Sequence, residues 1–264
     1  MKDSVPIVLC IAGSDSGGGA GIQADIKTLN TMKVFATSAI TCVTAQNTKE
    51  VLAINNLLPD IIRQQISAIK NDFNVSAIKV GMLFNKQIIK IVAKSLSEFK
   101  GVPIIVDPVM ISKSGDFLLK KNSIDYFKEE IIPKSFLITP NIHEAKIISN
   151  MDTIETLSDI KMCCDKFRRM GAKNVLIKGG HLNDDIYAID YLSINNKLTK
   201  LSSKRHNTKN THGTGCTLSA SISGNIAKGM DTLKAVRLAK NFTNRAIKNS
   251  LNLGMGHGPL NHFP

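Results

Sequence analysis

The chain alternates short, almost unbroken apolar runs with longer stretches in which apolar residues recur every three or four positions. The short runs predict strands at 7–12, 39–43, 77–80, 104–106, 136–139 and 175–178. The longer stretches predict helices at 22–31, 59–72, 86–99, 122–132, 142–149, 158–170, 215–227 and 232–250. Strands that are apolar throughout are buried on both faces, and strand–helix alternation means a parallel sheet with helices on each side. Segments 186–195 and 197–201 flank Asn196 and read as a late antiparallel hairpin. No low-complexity linker, charge block or internal repeat breaks the pattern, so residues 1–264 are expected to form a single α/β domain.

In such sheets ligands bind beyond the carboxyl ends of the strands. The first strand is followed by Gly13-Ser14-Asp15-Ser16-Gly17-Gly18-Gly19-Ala20-Gly21, and the second by Thr44-Ala45-Gln46-Asn47. Gly81-Met82 follows the third, Asp107-Pro108-Val109 the fourth, Pro140-Asn141 the fifth and Gly179-Gly180 the sixth. The fold would gather these glycines, amides and carboxyl groups around one cleft. The first loop has neither the Lys of a P-loop nor G-x-G-x-x-G spacing. It would still let a ligand come close to the backbone, although an ordinary surface loop can look the same.

Asn210-Thr211-His212-Gly213-Thr214-Gly215-Cys216-Thr217 is a small-residue turn that feeds the helix at 215–227. Glycines allow backbone N–H groups to converge, and a helix start adds partial positive charge, so this turn suits an anion hole. Cys216 stands at its rim, where a thiol is expected to have a lowered pKa and to be a potential base. A plain Gly-rich turn with a buried cysteine is the simpler alternative. Asp107, Asn141 and Glu144 offer oxygen ligands of the kind that Mg²⁺ takes, although Asp107 and Glu144 would also serve as helix or turn caps. Lys178 ends an apolar strand and could meet a phosphate as a point charge, or be an ordinary strand-end lysine. His143, His181 and His212 show no metal-ligand spacing and read as structural or solvated.

Composition narrows the class. Apolar residues make up 43%, enough for a core, but Trp is absent and aromatics are only 5%, so aliphatic side chains must build it. The net charge of +13 raises the question of nucleic acid. The lysines are spread along the whole chain, and the densest basic stretch, 197–209, contains no aromatic to stack on a base. A field that steers anionic substrates fits better than a nucleic-acid surface. Cys10, Cys42, Cys163, Cys164 and Cys216 form an odd set with no C-x-x-C, which argues against a disulfide framework or zinc site and for a reducing cytoplasm. The apolar run at 5–12 is too short to span a membrane and has no cleavage signal after it, so it reads as the first strand.

Together these segments resemble the ribokinase-like kinase superfamily. Within it they resemble the hydroxymethylpyrimidine/phosphomethylpyrimidine kinase family of thiamine biosynthesis. The resemblance is carried by residues 12–25, Thr44-Ala45-Gln46-Asn47-Thr48, Lys79-Val80-Gly81-Met82-Leu83, Val106-Asp107-Pro108-Val109-Met110, Ile138-Thr139-Pro140-Asn141, Ile177-Lys178-Gly179-Gly180-His181 and 207–217, in family order along the chain. It implies a three-layer α-β-α fold with a mostly parallel sheet, usually dimeric. It also implies that ATP with Mg²⁺ phosphorylates 4-amino-5-hydroxymethyl-2-methylpyrimidine and then its monophosphate. By motif position, Cys216 would be the base, and Gly213, Thr214 and Gly215 the anion hole. Asp107 and Glu144 would organise Mg²⁺, while Lys178, Asn141 and Lys240 would meet ATP. Gly13, Ala20, Asp25, Gln46, Met82 and Val109 would surround the pyrimidine. Pyridoxal kinase is the nearest rival, and a sugar or nucleoside kinase often has Asp where this chain has Cys216. A basic RNA-binding protein is the non-enzyme alternative, and it lacks the stacking aromatics.

Overall fold

The computed structural model describes residues 5–111, 117–179 and 186–263. The strands are β1 (Ile7–Asp15), β2 (Phe35–Gln46), β3 (Val51–Asn56), β4 (Ala77–Val80), β5 (Ile104–Val106), β6 (Leu137–Ile138), β7 (Asn174–Gly179), β8 (Tyr187–Ile194) and β9 (Lys197–Lys204). The helices are α1 (Gly21–Thr31), α2 (Pro59–Asp72), α3 (Lys86–Leu96), α4 (Ile124–Glu130), α5 (Ile142–Ser149), α6 (Leu157–Arg169), α7 (Thr214–Ala227) and α8 (Thr232–Lys248). The strands form one sheet in the order β3-β2-β1-β4-β5-β6-β7-β8-β9. β2-β1-β4-β5-β6-β7 is parallel, and β3, β8 and β9 add antiparallel edges.

Alternation along β1 builds the three layers. Val8, Cys10 and Ala12 pack with α1, α7 and α8, whereas Leu9 and Ile11 pack with α2 to α6. Local chemistry fixes several helix ends. Pro59 opens α2, Asn85 caps α3, and reciprocal capping boxes start α5 (Asn141 with Glu144) and α6 (Thr156 with Asp159). The helix expected at 122–132 is shorter than its apolar pattern. α4 is flanked by 3₁₀ turns at Lys121–Ser123 and Ile132–Lys134, the second of which contains Pro133. β3 has no counterpart among the expected strands, and β1 and β2 run past their apolar stretches into polar residues.

After β1 the chain adds β2 and β3 on one side, then crosses to add β4 on the other. That reversal opens a crevice at the carboxyl edge between β1 and β4, where open α/β sheets hold their ligands.

Candidate active site

A cleft of about 570 Å³ lies along this edge, a size suited to small molecules. Gln46 lies at one end and Asp190 and Lys240 at the other. β2 and β8, which carry Gln46 and Asp190, are six strand steps apart in the sheet order. At the usual strand spacing that is roughly 29 Å, long enough for two ligands end to end.

Asp15, at the end of β1, organises the Gly-rich loop. Its carboxylate accepts from the backbone N–H groups of Gly17 (2.8 Å), Gly19 (3.1 Å) and Ala20 (2.8 Å), and it lies 2.8 Å from His212 Nε2. Burial pushes this carboxyl up, but the His212 hydrogen bond and charge and the backbone donors outweigh it and hold the pKa below the usual value. His212 is thus a structural residue that ties the loop after β1 to the start of α7. Gly213, the N-cap of α7, has φ 83°, and a Cβ there would lie 1.8 Å from the Gly19 carbonyl oxygen. Only glycine lets the two loops close to this distance. The Thr214 hydroxyl donates to the Thr211 carbonyl at 2.7 Å and so tightens the turn.

The start of α7 sits over two charged residues. A Cβ at Gly215 would come within 3.3 Å of Asp107 Oδ2 and 3.2 Å of Lys178 Nζ. Cys216 follows on the cleft wall. Its thiol corrects the expectation of a lowered pKa. Burial pushes it up to about 11, against the lowering effects of Lys79 and the Gly21 N–H, while Asp25 and Asp107 push it further up. The helix start is not enough to offset lost hydration.

Lys178 Nζ donates to Asp107 Oδ1 at 2.7 Å and lies 3.9 Å from Glu144 Oε2. Asp107 also accepts from the Thr139 and Ser219 hydroxyls at 3.3 and 3.4 Å. Burial raises Asp107, but the charges of Lys178 and Lys79 and these hydrogen bonds bring it below its ordinary value. Glu144 is pushed up to about 7, first by burial, with Lys178 opposing and Asp107 adding to the rise. Glu144 and Asn141 also form the α5 capping box, so the cap role weighed from sequence exists alongside a place on the cleft wall. Lys240 lines the far end, but its ammonium is held at 2.6 Å by Asp190 Oδ2.

At the Gln46 end, Gly13, Ala20, Met82 and Val109 line the wall. A Cβ at Gly13 would lie 2.9 Å from Cys42 Sγ and 3.2 Å from Met82 Sδ, so glycine keeps this floor open. The Thr44 hydroxyl hydrogen-bonds Gln46 Oε1 at 3.3 Å, which orients the amide. Asp25 is the correction here. It is fully buried on α1, outside the cleft lining, and its Oδ2 accepts from Lys79 Nζ at 2.8 Å. Gly180 and His181 lie outside the described residues.

The Phosphomethylpyrimidine kinase family model matches residues 15–261. The chain belongs to the phosphomethylpyrimidine kinase family. It is 46% identical to the hydroxymethylpyrimidine/phosphomethylpyrimidine kinase of Bacillus subtilis, over 98% of this chain and 96% of that one. A crystal structure of phosphomethylpyrimidine kinase from Clostridium difficile 630 matches with a TM-score of 0.81 and 39% identity, over 91% of this chain and 99% of that one. An ADP complex of Bacillus subtilis pyridoxal kinase matches with a TM-score of 0.90 and 36% identity, over 98% of both chains. The chain is a phosphotransferase on a three-layer α/β fold with a mostly parallel sheet.

Three residues of this family member to which the sequence gives no role are central to the geometry. Asp15 is hidden among loop glycines. Asp190 sits in the hairpin and also accepts from the Gly179 N–H at 3.1 Å. Lys79 carries a signal, since a lysine between Ile78 and Val80 in a fully buried strand needs a partner. Among the described residues no helix is long and apolar enough to cross a membrane.

Proposed function

We propose that the chain transfers the γ-phosphoryl group of ATP to the hydroxymethyl group of 4-amino-5-hydroxymethyl-2-methylpyrimidine, and then a second one to the monophosphate. The carrying observation is that one cleft joins the Gln46–Met82 end to the start of α7 and to Lys178, Asp107 and Glu144. Homologues that bear this activity in their names support the reading. The Gln46 amide offers a donor and an acceptor to the aminopyrimidine edge. Met82 and Val109 grip the ring. ATP lies toward Asn141, Lys178 and Lys240.

Phosphoryl transfer needs positioning and charge stabilisation more than covalent help. The N–H groups of Gly213, Thr214 and Gly215 at the start of α7 meet the charge that builds on the transferred group. Lys178 adds a fixed cation. Asp107 and Glu144 are the oxygen donors that would hold Mg²⁺, and two carboxylates plus water and phosphate oxygens suit that ion. Bound there, the metal would neutralise phosphate charge. The acceptor hydroxyl loses its proton to the Cys216 thiolate. With the thiol pushed up to about 11, the thiolate is the minor form at neutral pH. The first transfer therefore speeds up as pH rises. The second transfer uses a phosphate acceptor that is already ionised and needs no base.

One variant tests this split. Cys216→Ala is expected to slow the first transfer by about 10²–10⁴-fold and to abolish its rise with pH, while the second transfer persists. Equal loss of both transfers, or of neither, overturns the role of the thiol. A single kinase domain acting as a homodimer in a reducing cytoplasm completes the proposal. The five cysteines are all free and buried, which suits such a compartment.

A further inference from the structure

Lys79 heads the set of largest fully buried side chains, yet it forms part of the cleft wall. β4, which carries it, packs directly against α7, which carries Cys216. The lysine is held from behind by α1, where Asp25 Oδ2 accepts from Nζ at 2.8 Å. The other Asp25 oxygen, Oδ1, is buried with no hydrogen-bond partner. A buried ion pair with a stranded oxygen is a poor device for stability, because an apolar pair of similar volume does as well or better. Gly81 closes the arrangement, since a Cβ there would lie 2.9 Å from Lys79 Nζ. The ammonium is thus confined between Asp25 and the β4 end, on the sheet face that α7 covers.

We propose that Lys79 is a positioning residue for the first phosphoryl transfer: Asp25 anchors its ammonium beneath α7, where it stabilises negative charge on Cys216 as the thiol gives up its proton. The inference rests on the reading of Cys216 as proton acceptor. The thiol first releases its own proton to solvent. The thiolate then takes the substrate hydroxyl proton as that oxygen bonds to the γ-phosphorus and ADP leaves, and Lys79 keeps all of its own protons. The groups that act on the sulfur are Lys79 on β4, Asp25 on α1, Asp107 after β5 and Lys178 on β7. Burial and the two carboxylates oppose the thiolate, and Lys79 is the foremost group that favours it. Asp25 therefore has two effects. It weakens the field at the sulfur and fixes the position from which that field acts.

The test is the pH midpoint for iodoacetamide alkylation of Cys216 in the full chain, followed by mass mapping of that cysteine. The plateau rate reports access, and loosened packing would rehydrate the sulfur and move the midpoint down, opposite to the loss of the Lys79 charge. Two neutral replacements are compared with the wild type, Asp25→Asn with Lys79→Gln and Asp25→Leu with Lys79→Met, because one of them packs better than the other. The expected result is a midpoint at higher pH. At a fixed pH below the midpoint, alkylation slows about tenfold for every pH unit by which the midpoint rises. The kcat of the first transfer falls in parallel, with KM and the second transfer retained. An unchanged midpoint in a folded replacement overturns the proposal. The titration needs no turnover, so failure of Cys216→Ala to impair the first transfer would reject the base reading separately.

Discussion

His212 Nε2 lies 2.8 Å from Asp15 Oδ2, and this contact joins the loop after β1 to the loop before α7 across 197 residues of sequence. The same carboxylate satisfies three backbone donors of the Gly-rich loop. Asp15→Ala strands the buried Gly19 N–H and His212 Nε2 and releases the Gly17 and Ala20 N–H groups nearer the surface. The expected loss is about 1–3 kcal/mol in denaturant unfolding, the usual cost of leaving a buried hydrogen-bonding group unsatisfied. A loss below about 1 kcal/mol would show that the loops hold together without it.

Gly213 and Gly229 provide a matched comparison. Both have positive φ, 83° and 78°. A Cβ at Gly229 meets nothing within 4 Å, whereas at Gly213 it meets the Gly19 carbonyl. Gly229→Ala should cost only the left-handed strain, about 1–2 kcal/mol. Gly213→Ala should cost clearly more and should also reduce turnover, because the start of α7 must move. Equal costs, with turnover intact, would mean that the loops separate freely.

The C-terminal segment gives the fold a pH dependence. His262 is buried near the Thr217 hydroxyl, at 3.1 Å, and its carbonyl accepts from Thr31. Burial, with help from Lys27, lowers its pKa from 6.5 to about 4. The unfolded chain takes up a proton near 6.5 that the folded chain refuses until about 4. Stability from this site is therefore present above about 6.5 and is lost as pH falls through that window. The melting temperature should drop between about pH 7.5 and about pH 5. The drop should be smaller in His262→Gln, and an equal drop in both proteins would assign the effect to other groups.

Sequence alone reveals the layers but misses the most polar parts of the sheet. Helices 59–72 and 142–149 match their apolar periodicity residue for residue, because each buries one stripe against the core. β1 and β2 extend through Ser14-Asp15 and Thr44-Ala45-Gln46, and these polar ends are where the strands meet the cleft. Apolar patterning stops there by necessity. β3 escapes because it is a half-exposed edge strand that ends in Asn55-Asn56. The position of Cys216 is readable from its motif, but its ionisation is not, because burial outweighs the helix start. Motif position points Asp25 toward the substrate, and only the topology brings it to Lys79, 54 residues away.

Acceptor choice tests the central claim most directly. The protein is incubated with Mg-ATP and equal amounts of hydroxymethylpyrimidine, pyridoxal and ribose, and the phosphorylated products are resolved by mass. The Gln46–Met82 wall and the start of α7 call for the pyrimidine to be consumed first, with its monophosphate appearing and then giving way to the diphosphate. Faster phosphorylation of pyridoxal, or a pyrimidine product that stops at the monophosphate, would contradict the account.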